Sequence, residues 1–130
     1  MMETFEDWIK SWRFPLLMAG MGEYAMGGWL DGTYHYLLPD RKAFFDGVTA
    51  VYADAEGVNG GPGWLAVVEF SDGHFGFVSA KCDNTGWGCC ADGDIVYSSS
   101  LEEVKSDLVL TDEARERLVW RDPPLRRETT

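Results

Sequence analysis

A chain of 130 residues is long enough for one domain and too short for a second, and 45% hydrophobic with 25% charged residues is the composition of a folded protein. Eleven Lys and Arg against 22 Asp and Glu give a formal net charge of −11, which argues against a phosphate-tracking nucleic-acid surface and against attachment to anionic membrane. The excess is concentrated, because residues 43–104 hold ten acids and a single base, Lys81.

In chain order, Phe5, Trp8, Ile9 and Trp12 recur at helical spacing. They predict a short amphipathic helix with Thr4 as N-cap, Asp7 completing a capping box and Pro15 as the stop. Glycines then punctuate an apolar run, in which Trp29 to Leu38 reads as a strand pair turning at Asp31-Gly32 and Pro39 to Phe45 as one helical excursion. Val48 to Ala53 is a β-branched strand, and the composition of Gly57 to Gly63 holds only a loop.

Trp64 to Phe70 and His74 to Ala80 predict a hairpin through Ser71-Asp72-Gly73, with Asp-Gly as a type I′ pair. Trp64, Ala66, Val68 and Phe70 then share one face, joined there by Phe75 and Phe77 of the second strand. Lys81 to Gly93 reads as a Gly- and Cys-rich loop, followed by a short strand from Asp94 to Tyr97. Ser100 to Glu103 is a capping box for a helix bearing Leu101, Val104 and Leu108. Thr111 caps another helix, which Pro123-Pro124 ends.

The sum is an α+β fold: a small antiparallel sheet of about 4–5 strands, with the N-terminal and C-terminal helices packed on one face. One compact domain is expected over 1–122, with a flexible tail at 123–130. The acidic start lacks the basic region of a secretory signal, no apolar run is long enough to span a bilayer, and an odd three cysteines do not make a disulfide framework. A cytoplasmic setting follows.

Four groups of residues bear on chemistry. Gly20-Met-Gly22-Glu-Tyr-Ala25 matches a dinucleotide-binding pattern after an expected strand, Phe14 to Ala19, but Gly27-Gly28 would break the helix that must receive the pyrophosphate. Cys82, Cys89, Cys90 and His74 form a permitted zinc ligand set at unusual spacing, and one of these thiols with His74 or His35 as base would make a nucleophile. Asp92-Gly-Asp94 and Asp54-Ala-Glu56 place carboxylates two apart without the rest of a calcium loop. The acidic middle is the fourth, a surface suited to a basic partner, with Trp29, Trp87 and Tyr97 as aromatic anchors.

Residues 71–118 carry Asp72-Gly73, Cys82-Asp-Asn-Thr-Gly-Trp-Gly-Cys89, a Leu101-Glu-Glu-Val104 helix and Thr111-Asp-Glu-Ala-Arg-Glu-Arg-Leu118. In these the chain resembles a family of small, uncharacterised bacteriophage and prophage proteins whose loop reads Cys-Asp-Tyr-Thr-Gly-Trp-Asp-Cys-Gln. Here Asn84, Gly88 and Cys90 replace the Tyr, the Asp and the Gln. The resemblance implies a phage setting, where small acidic proteins include inhibitors of host defence.

Taken together, the expected function is non-enzymatic, with no cofactor and no direct nucleic-acid contact: an acidic protein of the host-cell cytosol that binds a basic protein or nucleoprotein through Asp72, Asp83, Trp87, Asp92 and Asp94. Two alternatives are a zinc- or thiol-dependent protein built on Cys82, Cys89, Cys90 and His74, and a phage accessory protein that self-associates through its Trp-rich N-terminal helix.

Overall fold

The computed structural model describes residues 3–18, 26–29, 35–37, 46–58, 61–84 and 89–128. Its elements are α1 (Phe5–Met18), β1 (Met26–Trp29), β2 (His35–Leu37), β3 (Val48–Ala55), β4 (Trp64–Phe70), β5 (Phe75–Asn84), β6 (Cys89–Ser98), α2 (Leu101–Val104), α3 (Asp112–Arg117) and β7 (Val119–Arg126). The seven strands form one sheet in the order β2-β1-β6-β5-β4-β3-β7, antiparallel except where β1 runs parallel to β6. Sheet with short helices is the coarse α+β arrangement expected, with more strand than foreseen. The 39–45 segment and the glycine pattern at 20–25 lie outside the described residues, but α1 runs to Met18, so a helix and not a strand precedes those glycines.

Helix α1 starts as its sequence dictates. The Asp7 amide donates to Thr4 Oγ1 at 3.1 Å and the Thr4 amide to Asp7 Oδ2 at 3.3 Å, so two amides left over at the helix start are satisfied reciprocally. Pro15 does not stop the helix, which carries on less than one turn beyond it, so the missing donor costs one backbone bond and not the element. Phe5, Trp8 and Trp12 are buried, with the two indoles stacked 4.9 Å apart. The helix face proposed for self-association is therefore already spent on the protein's own core.

The central hairpin differs from expectation by one residue, and the difference decides the architecture. The Gly73 amide donates to Phe70 O and the Phe70 amide to His74 O, both at 2.9 Å, which closes a three-residue loop over Ser71–Gly73. Gly73, at φ +92°, takes the left-handed position, and Asp72 stays at negative φ while its side chain accepts from the His74 amide at 3.1 Å. A type I′ pair would have set Phe75 and Phe77 opposite Phe70 and Val68. The observed ladder pairs Val67 with Phe77 and Glu69 with Phe75, and a one-residue shift moves both rings to the other face.

The sheet consequently has two apolar faces. Trp64, Ala66, Val68, Phe70, Val78, Ile95 and Tyr97 pack with Phe5, Trp8 and Trp12 of α1 on the first. Leu65, Val67, Phe77 and Ala53 pack on the second with Val104, Leu110, Ala114 and Leu118 of the C-terminal third. The expectation that both helical regions cover one face is corrected: each face has its own helices, because β4 is apolar at successive and not only alternate positions. Ser100 and Thr111 cap their helices as expected, their side chains accepting from the Glu103 and Ala114 amides. Leu108 is instead exposed, since α2 ends at Val104 and Leu110 fills the core.

Two further stretches expected to be irregular are strand. Lys81 to Gly93 continues β5 and opens β6, leaving only residues 85–88 between them; cross-strand pairing outweighs the low strand propensity of Gly, Asp and Asn. The segment after Leu118 is β7, an edge strand on β3, so residues 123–126 are not a tail. Between the pairs Val51–Leu125 and Ala53–Trp120, β3 advances two residues while β7 advances five, and Pro123 and Pro124 fall in that excess, where no ladder amide is required. Among the described residues no helix is long and apolar enough to cross a membrane.

Candidate partner-binding surface

The sheet divides the expected contact residues into two groups. Asp72 sits in the β4–β5 turn, exposed, with its carboxylate against His74 Nδ1. Asp94 stands opposite Ser79, Asp92 opposite Lys81 and Asp83 opposite Cys90, progressively further along the β5–β6 ladder. Eleven residues of near-extended chain separate Asp72 from Asp83, about 36 Å. Asp72 therefore belongs to the opposite end of the sheet from Asp83 and Asp92. Trp87 lies outside the described residues.

The ladder position of Asp94 explains why it faces solvent. Along β5 the second face runs from buried Phe77 through half-buried Ser79 to exposed Lys81, and on β6 from half-buried Val96 to exposed Asp94. Cover from the C-terminal helices fades along this face, and the sequence turns polar where it does.

The cysteines occupy three successive rungs of the same ladder: Cys82 opposite Ala91, Cys90 opposite Asp83, and Cys89 opposite Asn84. His74 does not join them. It precedes β5 at the far end, eight residues or about 26 Å from Cys82. Its ring stacks on Phe70 at 4.8 Å and meets Tyr97 edge-on at 5.0 Å. His74 therefore stands apart from the cysteines along the sheet.

The C-terminal arginines, which the sequence pattern assigns to a helix and a tail, are tied to the protein itself. Arg121 donates through Nε and Nη2 to Asp54 at 3.0 and 2.9 Å and through Nη2 to Glu3 at 2.7 Å, while Trp8 Nε1 donates to the same Asp54 at 3.0 Å. Arg126 donates to the Tyr52 hydroxyl, which donates in turn to Glu69 at 2.7 Å. Arg117 is held by the carbonyls of Gly63 and Glu56, Arg127 by that of Val48, and Arg115 by Asp107 and the Lys105 carbonyl. Asp94, Glu102, Glu103, Asp112, Glu113 and Glu116 are exposed. The C-terminal arginines thus fasten strands and loops, while these acids stay at the surface.

Of the expected aromatic anchors, Tyr97 is 3% exposed and buried in the first-face core, and Trp29 is a β1 residue. Among the described residues the exposed aromatic is Trp120, at 40%, with Lys105 Nζ 5.1 Å from its ring. Sequence reasoning misses it because the pattern continues a helix through Trp120, and a strand at the sheet edge was the signal required. Comparison of the chain with protein-family models, with curated proteins and with solved structures finds no match.

Proposed function

We propose that the protein is a non-enzymatic, acidic binding protein of phage or prophage type, acting in the host cytosol against a basic protein or nucleoprotein of host defence, as anti-CRISPR and other counter-defence inhibitors do. The observation that carries this reading is the division of charge: C-terminal arginines engaged with the protein itself, and exposed acids facing solvent, with Asp94 midway along the β5–β6 ladder. Such a surface accelerates encounter with a basic target and repels acidic ones. The similarity of residues 71–118 to small phage proteins supports the setting. Asp83, Asp92 and Asp94 are the contact residues proposed, and Asp72 is set apart from them by its position.

The test is capture from a bacterial lysate by the tagged full chain and by an Asp83→Lys/Asp92→Lys/Asp94→Lys variant, each at low and high salt. A basic nucleic-acid-handling protein retained by the wild type at low salt, and lost both at high salt and with the variant, supports the reading. Equal retention by the variant at low salt sinks it.

A second reading, a zinc- or thiol-dependent protein without His74, rests on Cys82 and Cys89, which the register places on one face two rungs apart, with Cys90 on the other face. Purification without chelators followed by metal analysis separates the two: about one zinc per chain, lost in Cys82→Ser/Cys89→Ser, favours it.

A further inference from the structure

A concavity lies on the second face of the sheet, where the loop around Gly63 and helix α3 flank strands β4 and β5, and its edge at Ser79 and Lys81 borders the acidic ladder. It has a volume of about 490 Å³, within the range of small-molecule sites. Its floor is apolar, formed by Leu65 and Phe77, with Ala114 on the helix side; Lys81, Arg117 and Glu113 also line it.

Two features make this more than a dent in the surface. First, the walls are fixed. A Cβ at Gly63 would lie 2.5 Å from the Ala80 carbonyl oxygen, so the loop rests directly on β5. Arg117 is fastened by one nitrogen: Nη2 donates to Gly63 O at 2.7 Å and to Glu56 O at 3.2 Å, while Nη1 and Nε make no hydrogen bond with a described residue. A guanidinium oriented in advance loses less entropy on meeting an anion than a free one. Second, the charge is out of character. Lys81 is the single base among residues 43–104, and it lines the same concavity as the half-buried Arg117. In a chain of net charge −11, these two cations give an anion a place to pair, while Glu113 on the wall and Asp92 and Asp94 on the next strand, opposite Lys81 and Ser79, limit the negative charge it can carry.

We propose that this concavity binds a small organic monocarboxylate with an apolar, preferably aromatic, body: the carboxylate between Arg117 and Lys81, the body on Leu65 and Phe77. One negative charge is favoured over two because Glu113 stands on the wall and Asp92 opposite Lys81 in the ladder. The site adjoins Asp92 and Asp94 of the protein-binding reading above, but its test needs no protein partner, so either reading can fail without the other.

The experiment is an amide-resolved NMR titration of the full chain with phenylacetate, with phenylacetamide and phenyl phosphate as controls. At ordinary ligand efficiency a ligand of this size binds with a Kd of about 1 mM. The expected result is saturable shifts confined to amides around Gly63, Ser79, Lys81 and Ala114. The neutral amide and the dianion should each bind at least about fivefold more weakly, as loss or crowding of a charge-assisted hydrogen bond requires. Lys81→Met, at an exposed position, should weaken phenylacetate about fivefold. Arg117→Lys should do so as well, its unchanged thermal stability separating a lost contact from a loosened loop. No saturation at tens of millimolar, equal binding of the amide, or shifts centred elsewhere would overturn the proposal.

Discussion

At the scale of single residues, Asp54 is the most consequential charge. Its carboxyl side chain is 12% exposed and receives two N–H groups of Arg121 and the indole N–H of Trp8, so one carboxylate joins β3, β7 and α1. The hydrogen bonds to Asp54 raise the pKa of the Arg121 guanidinium above its ordinary value. Arg121→Leu should cost about 2–4 kcal/mol in urea denaturation, because it leaves a largely buried carboxylate without its cation. The double change Asp54→Leu/Arg121→Leu should recover part of that loss. Tyr52 offers a pH test. Burial, then donation to Glu69, raise its hydroxyl above the ordinary 10.0. A group whose folded value is raised contributes stability that is whole below the unfolded value and declines as pH rises through the folded one. Alkaline destabilisation beginning above pH 10 should therefore weaken in Tyr52→Phe, and phenolate absorbance should show one late-titrating tyrosine fewer.

At the scale of elements, local signals were legible where a residue's own backbone carries them. The capping box at Thr4 and the caps at Ser100 and Thr111 involve partners three residues away and lie where their motifs predict, although the Ser100 amide donates to Ser98 Oγ and not to Glu103, so that motif gives a cap and not a full box. Thr111→Ala should cost about 1 kcal/mol by chemical denaturation. What was not legible depended on distant partners. Asp-Gly signals a turn but does not fix its length, and a loop of three residues in place of two sent Phe75 and Phe77 to the other face. Nor do Pro123 and Pro124 reveal that β3 waits beside them. A chain ending at Asp122 tests the point: it loses Leu125 from the core, Arg126 from Tyr52 and Arg127 from the Val48 carbonyl. It should be destabilised by at least about 3 kcal/mol, where removal of a tail would change nothing.

At the scale of the whole molecule, the amount of charge is legible in the amino-acid sequence, and its arrangement is not. The count of −11 does not disclose that the arginines are fasteners. Because those bonds are largely shielded while the surplus acids face solvent, salt should screen repulsion more than attraction. Thermal unfolding should shift upward by a few degrees between about 10 mM and 0.3 M sodium chloride, roughly a Debye length of 30 Å against 6 Å; a downward shift would mean that the surface ion pairs dominate. The candidate contact surface was half legible. Asp83, Asp92 and Asp94 do follow one another along a ladder, but only strand pairing could show that Asp72 is far from them.

The clasp of Glu3, Trp8, Asp54 and Arg121 also has a bearing on when the chain can fold. Two of its partners, Glu3 and Arg121, stand 118 residues apart in sequence, and β3 is flanked in the sheet by β4 and β7. A nascent chain emerging from a ribosome can assemble the β4–β5–β6 meander early, but β3 keeps an open edge and Asp54 lacks its guanidinium until residue 121 and its successors are free. Contacts that span nearly the whole chain carry a large loop-closure cost and slow the search. Commitment to the native state is therefore deferred until β7 has been made, and a translation product interrupted before it should be an exposed-edge species that a protease removes rather than a smaller working version of the protein.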